Sequence, residues 1–224
     1  TLGMGPSHDW IIDGQLGIPY DRPVRMVRDY LDVLLAAFAG PGAVDVDNDN
    51  FRVHSPMDVA DPRPTPVLLA ALGPTMLRIA GERADGTILW MADERAIADH
   101  VVPRIVAAAN ASGRPAPRIV AGVPVALCAE SEADDARAEA SEVLGHAHFS
   151  PNYVRLLEHG DAEDVGDTMA AGSEATVLNR LQRYRDAGVT DLGARVVPVG
   201  RDPESRQASR KRTQEFLASL CPRL

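Results

Sequence analysis

The sequence predicts an α/β protein built on a parallel sheet, and three observations carry that prediction. Short apolar runs of strand character alternate along the chain with helical stripes. Val67 to Leu72 is continuously apolar, as in a strand covered on both faces. The runs ending near Met4 and Leu72 pass straight into glycine-bearing turns, the junction where open α/β sheets and α/β barrels bind ligands.

The first strand begins at Thr1 and runs into the glycine-bearing turn that reaches His8. A helix follows over residues 21–39, with Val24, Val27, Leu31, Leu34, Leu35 and Phe38 forming its stripe, Pro23 in its first turn and Gly40 at its stop. Val44–Val46 and Phe51–Val53 read as a hairpin inserted over about 44–53, turning at Asp47-Asn48-Asp49-Asn50, and 55–66 as a proline-rich connection. After the Val67 strand and the Gly73-Pro74-Thr75 turn comes a helix to Ala84, then a strand over Thr87–Trp90. A helix over 96–111 puts Ile97, Val101, Ile105 and Ala108 inward, with Pro103 as a kink. Ile119–Leu127 is a strand, and 131–144 an Ala- and Glu-rich helix. Residues 145–172 carry no strong pattern beyond a short helix near 153–158. Ser173 caps a helix with Val177, Leu181 and Tyr184 inward and Gly188 at its end. A strand over Leu192–Val197 and a helix over 205–220 complete the chain. Five main strands result, beginning at Thr1, Val67, Thr87, Ile119 and Leu192. Five complete a small doubly wound sheet or supply the last five of an eight-stranded barrel, and the pattern leaves both open.

Composition bounds the function. The 224 residues suffice for one large domain or two small ones. A net charge of −9 argues against a nucleic-acid backbone as partner, and the basic run Arg206–Arg212 reads as a solvated helix face. Two distant cysteines, Cys128 and Cys221, give neither a disulfide framework nor zinc spacing, which fits a reducing, cytoplasmic compartment. No apolar run reaches the roughly 18 residues of a membrane span.

Several motifs bear on chemistry. Leu2-Gly-Met-Gly-Pro-Ser-His8 superficially resembles a dinucleotide fingerprint. Its third glycine is replaced by His8, however, and no acidic residue follows a second strand about 20 residues on. The better reading lets a planar ligand lie on Gly3 and Gly5 while Ser7 and His8 hydrogen-bond to it, against an ordinary turn with a surface histidine. Gly73-Pro74-Thr75 opens a helix, where free N–H groups and a hydroxyl suit a phosphate; the plainer alternative is a simple glycine turn. Trp90, at a strand's C-terminal end, faces either ligand or core. Asp45-x-Asp47-x-Asp49 lacks the glycine and glutamate of a calcium loop. His146-x-His148 has the wrong spacing for two ligands on one helix face, so no metal site is expected.

Three segments together resemble the luciferase-like monooxygenase superfamily. They are Thr1-Leu-Gly-Met-Gly-Pro-Ser-His8, Pro66-Val-Leu-Leu-Ala-Ala-Leu-Gly-Pro-Thr-Met-Leu-Arg-Ile-Ala-Gly-Glu-Arg-Ala-Asp-Gly86, and Gly172-Ser-Glu-Ala-Thr-Val177 with its continuation to Leu192. The nearest likeness is to its actinobacterial branch using deazaflavin coenzyme F420. The resemblance implies a (β/α)8 TIM barrel of which this chain, a single domain over 1–224, supplies about strands four to eight, with the first three βα units outside it. It implies that Gly5, Pro6, Ser7 and His8 line the deazaflavin, that Leu72, Gly73, Pro74, Thr75 and Met76 hold its phosphate-bearing tail, and that Trp90 walls the substrate pocket. Pro6 departs from the Thr or Gly of some branches. The function implied is hydride transfer between F420 and a small organic substrate, with His8 as the candidate catalytic residue because histidine changes charge near physiological pH. FMN with oxygen, or a non-catalytic cofactor-binding barrel, are the alternatives. A homodimer is expected as the assembly.

Overall fold

The computed structural model describes residues 1–40, 42–57, 65–145 and 150–221. His146, His148 and most of the proline-rich connection lie outside them.

In chain order the elements run β1 (Leu2–Met4), α1 (Asp9–Ile12), α2 (Pro23–Phe38), β2 (Gly42–Asp47), β3 (Arg52–Met57), β4 (Val67–Ala70), α3 (Pro74–Arg83) and β5 (Gly86–Trp90). Next come α4 (Glu94–Ala96), a π turn (Ile97–Val101), α5 (Val102–Ala111), β6 (Arg118–Leu127) and α6 (Ala133–Leu144). The chain then continues through α7 (Pro151–Leu157), β7 (Ala170–Gly172), α8 (Glu174–Asp186), β8 (Asp191–Val196) and α9 (Pro203–Leu220).

All five expected main strands are present, and every pairing in their sheet is parallel. β1 pairs with β4, β4 with β5, β5 with β6, and β6 with β8. Spatial order therefore follows chain order without the reversal that a doubly wound sheet requires, so the doubly wound alternative falls and barrel winding stands. β2 and β3 form the separate antiparallel hairpin. Its three aspartates are engaged within the molecule, Asp45 by His54, Asp47 by Arg52 and Asp49 by Arg25.

Helices cover the outer face. Val67, Leu69, Leu77, Ile105, Ile119, Val125, Leu181 and Tyr184 belong to one continuous core. Gly81 sets the approach of α3 to α5, since a Cβ there would lie 2.4 Å from the Ile105 carbonyl oxygen. α8 follows its sequence pattern closely. Ser173 Oγ accepts from the Thr176 N–H at 3.3 Å, Val177, Leu181 and Tyr184 are buried, and Gly188 has φ +103°. α9 begins at Pro203, with Asp202 as its cap. Its basic run is partly tied down, since Arg206 meets Glu139 at 2.6 Å and Arg212 donates to the Leu127 carbonyl.

The structure corrects four expectations. The Val67 strand ends at Ala70, leaving Leu72 in the turn. The helix expected over 96–111 is interrupted by the π turn, which precedes Pro103 and accommodates its missing N–H. Ile97, Val101 and Ile105 are buried as expected, but Ala109 rather than Ala108 is the buried alanine, and Ala108 lies half-buried beside Gly81. β7 was missed because Ala-Ala-Gly is too short and featureless to read as a strand. It pairs with the C-terminal part of β6 on the side occupied lower down by β5. α1 also went unread.

Candidate active site

A cleft of about 660 Å³ opens at the C-terminal ends of the strands. It brings together Gly5, Pro6, Ser7 and His8 after β1, Leu72 through Met76 after β4, and Trp90 at the end of β5, while Gly3, within β1, does not line it.

Two of the turns are strained. Ser7 has φ 58° and Met91, directly after Trp90, has φ 59°. Left-handed backbone in a residue other than glycine costs about 1–3 kcal/mol and gathers at functional sites. Tyr20 holds the first turn by donating its hydroxyl to the Ser7 carbonyl at 2.9 Å. Burial raises the Tyr20 hydroxyl above its ordinary pKa, and the nearby Asp9 adds to this.

Gly73 caps α3 with φ −90° and ψ 161°, extended backbone that any residue adopts. A Cβ built there meets nothing within 4 Å. Neither conformation nor packing calls for glycine at this position, so the missing side chain leaves an open cradle above a helix N-terminus. Pro74 has no N–H, and the N–H groups of Thr75 and Met76 have no acceptor from the glycine cap. The side chain of Met76 is in the core, so only its backbone serves the cleft. Gly5 differs: a Cβ there would lie 2.7 Å from Ala70 Cβ, so its own neighbour demands the glycine. Gly3 has open space above it.

His100, at the π turn and 4% exposed, supports the Gly73 turn from below. Its Nε2 lies 2.8 Å from the Leu72 carbonyl, which fixes Nε2 as the donor. The His159 ring stacks on it at 3.9 Å. Desolvation lowers the His100 pKa, partly opposed by the Leu72 bond, with His159 and Arg104 lowering it further.

The aromatic wall is continuous. Trp90 lies across Gly122 of β6, where a Cβ would come within 2.7 Å of Cε3. Trp90 and Tyr153 pack around Met91. The His8 ring is 6.0 Å from Tyr153 and 5.9 Å from Trp10. Sequence reasoning missed Tyr20, Tyr153, Arg155 and Arg195 in the cleft, and it missed Gly122 beneath Trp90. Gly122, a glycine inside a strand pattern, was the one readable signal among these.

Parallel strands wound in chain order, with glycine turns, free helix N–H groups and strained residues at their C-terminal ends, define a chain of the (β/α)8 barrel class. More particularly, it belongs to the luciferase-like monooxygenase family, whose model matches residues 1–191. A 5,10-methylenetetrahydromethanopterin reductase of Methanolobus tindarius is 26% identical over 187 residues, which cover 80% of this chain. The match spans only 56% of that reductase's length. Among solved structures, an F420-dependent secondary alcohol dehydrogenase in complex with an F420–acetone adduct superposes with a TM-score of 0.68 at 15% identity, over 96% of this chain and 68% of its own. A monooxygenase from Streptomyces bottropensis superposes with a TM-score of 0.69 at 16% identity, over 97% of this chain and 67% of its own. At these identities the two structures share the fold. No helix among the described residues is long and apolar enough to cross a membrane.

Proposed function

We propose that the protein is an oxidoreductase that holds deazaflavin coenzyme F420 in this cleft and exchanges hydride between it and a small organic substrate. The observation that carries the proposal is the Gly73 cradle, empty of side chain and faced by the N–H groups of Thr75 and Met76, which fits a phosphate. The Thr75 hydroxyl adds a donor, and Gly5–His8 with Trp90 shape the walls for a planar ring. When bound, the deazaflavin supplies the hydride chemistry. The chain's own residues orient it, and His8 offers a hydrogen bond or proton to whatever lies on the ring.

A feature beside the cradle favours the longer anionic tail of F420 over the single phosphate of FMN. A groove lined by Asp21, Arg22, Arg25, Arg28 and Arg78 adjoins the cleft and shares Pro23, Val24 and Thr75 with it. Asp49, Asp29 and Glu82 engage Arg25, Arg28 and Arg78, and Arg22 is the arginine there without a carboxylate partner among the described residues. FMN with oxygen is the second reading, favoured by the equally good superposition of the Streptomyces monooxygenase.

The test is fluorescence titration of the protein with F420 and with FMN, alongside Gly73→Val. F420 is expected to bind at least about tenfold tighter than FMN. The variant should weaken both about tenfold or more, roughly 1.4 kcal/mol, with its melting temperature lowered by no more than about 3 °C. Tight FMN binding with oxygen uptake, and none for F420, would establish the second reading instead.

A further inference from the structure

We infer that the cleft carries a second anion subsite at its β8 side, built on Arg195 with Arg155, and that the substrate is an organic carboxylate or phosphate ester with an apolar body. The chain has 32 acidic residues against 23 lysines and arginines, yet no acidic side chain lines the cleft among the described residues. Its charged lining consists of Arg155 from α7 and Arg195 from β8, beside the titratable His8. Many arginines elsewhere find carboxylates, as Arg83 with Asp32, Arg114 with Asp85, Arg118 with Asp191, Arg180 with Glu94 and Arg206 with Glu139, while Arg104 and Arg212 donate to backbone carbonyls. Arg155 and Arg195 have no such partner among the described residues. Gly193, two residues before Arg195 and on the same strand face, puts no side chain beside it.

Position separates this subsite from the cradle. Gly73 follows β4, and β8 lies three strands further along the sheet, about 14 Å away at ordinary strand spacing. A phosphate seated on the α3 N-terminus therefore leaves Arg195 free. Between the two lie Ile88, Trp90 and Val120, an apolar floor suited to the body of a substrate. A guanidinium facing a largely apolar cleft recognises a planar carboxylate or a phosphate through paired charge-assisted hydrogen bonds. That the anion is the substrate rests on the oxidoreductase reading above; that it binds here does not.

The experiment measures calorimetric affinities of three matched probes, benzoate, phenyl phosphate and the neutral benzamide, with saturating FMN filling the cradle, and FMN affinity, measured separately, as the reporter for the cradle. Benzoate or phenyl phosphate should bind at least about tenfold tighter than benzamide, and the stronger of the two identifies the anion class. Arg195→Gln should erase that preference while benzamide and FMN affinities stay within about twofold, and Arg195→Lys should retain most of it. Equal binding of all three probes would overturn the proposal, as would a preference that survives Arg195→Gln. FMN affinity falling in step with the anions in Arg195→Gln would also overturn it, by assigning the arginine to the cofactor. If neither FMN nor F420 binds while the anion preference holds, the subsite stands and the oxidoreductase reading falls.

Discussion

The two ends of the strands are built on opposite principles. At the N-terminal ends polar groups are matched. Asp85 accepts from the Val67 N–H at 2.8 Å and from Arg114 at 3.2 Å. Arg118 reaches Asp191 at 2.6 Å and the Thr1 hydroxyl at 3.0 Å, and it holds the Asp191 carboxyl below its ordinary pKa. Thr190 Oγ1 accepts from the Ile119 N–H at 2.9 Å. Gly86 fits so tightly that a Cβ would sit 2.0 Å from the Arg118 carbonyl oxygen. At the C-terminal ends a glycine cap faces empty space, Ser7 and Met91 adopt left-handed backbone, and two arginines lack carboxylates among the described residues. One end closes on itself while the other is left incomplete for something to fill, the division that barrel enzymes make between stability and activity.

The sharpest way to break this contrast is to add a side chain to one glycine at each end. Gly86→Ala meets both the carbonyl clash and a φ of +154°. It should cost about 3 kcal/mol or more, a fall of roughly 10 °C in a thermal melt. Gly73→Val, which meets open space and loses only a better helix cap, should lower the melt by no more than about 3 °C. Ser7→Gly should have a smaller effect of opposite sign. Releasing the left-handed serine raises stability by up to about 1 kcal/mol, while loss of the hydroxyl weakens cofactor binding. A fall in melting temperature for Ser7→Gly would show that the turn is not strained.

The smallest effect is in pH. The folded pKa of His100 lies below its ordinary value of 6.5, so its contribution is present above pH 6.5 and is lost as pH falls toward the folded pKa. The Asp191 contribution is present above 3.8 and fails only at lower pH. Melts from pH 7.5 to 5 should therefore decline in the wild type and flatten in His100→Gln, while Asp191→Asn keeps the wild-type slope.

The frame of the fold was legible because it rests on local signals. The continuous run from Val67, the Ser173 cap and the stripe of α8 each specify their element alone. The two glycine turns were legible for the same reason, and they fell into one cleft. What escaped depends on partners distant in sequence. Arg195 sits in an unremarkable strand, and its lack of a carboxylate is a property of the folded cleft. Ser7 gives no hint of a positive φ, which Tyr20 enforces from 13 residues away. In α5 Ala109 is buried where Ala108 was expected, and a run of three alanines over 107–109 does not tell which of them faces inward. Gly5 was read as room for a ligand, whereas Ala70 accounts for it.

β6 touches three strands: β5, which precedes it, and β7 and β8, which follow. Its bonds to the segment before β8 join residues 71 positions apart, as between Ile119 and Thr190. During synthesis β6 therefore emerges well before two of its three partners. Closing such long loops is the slow part of folding, so the sheet completes late and as a unit. Until then β6 is an apolar strand with an unsatisfied edge, the part of this chain most exposed to misassembly and most in need of shielding.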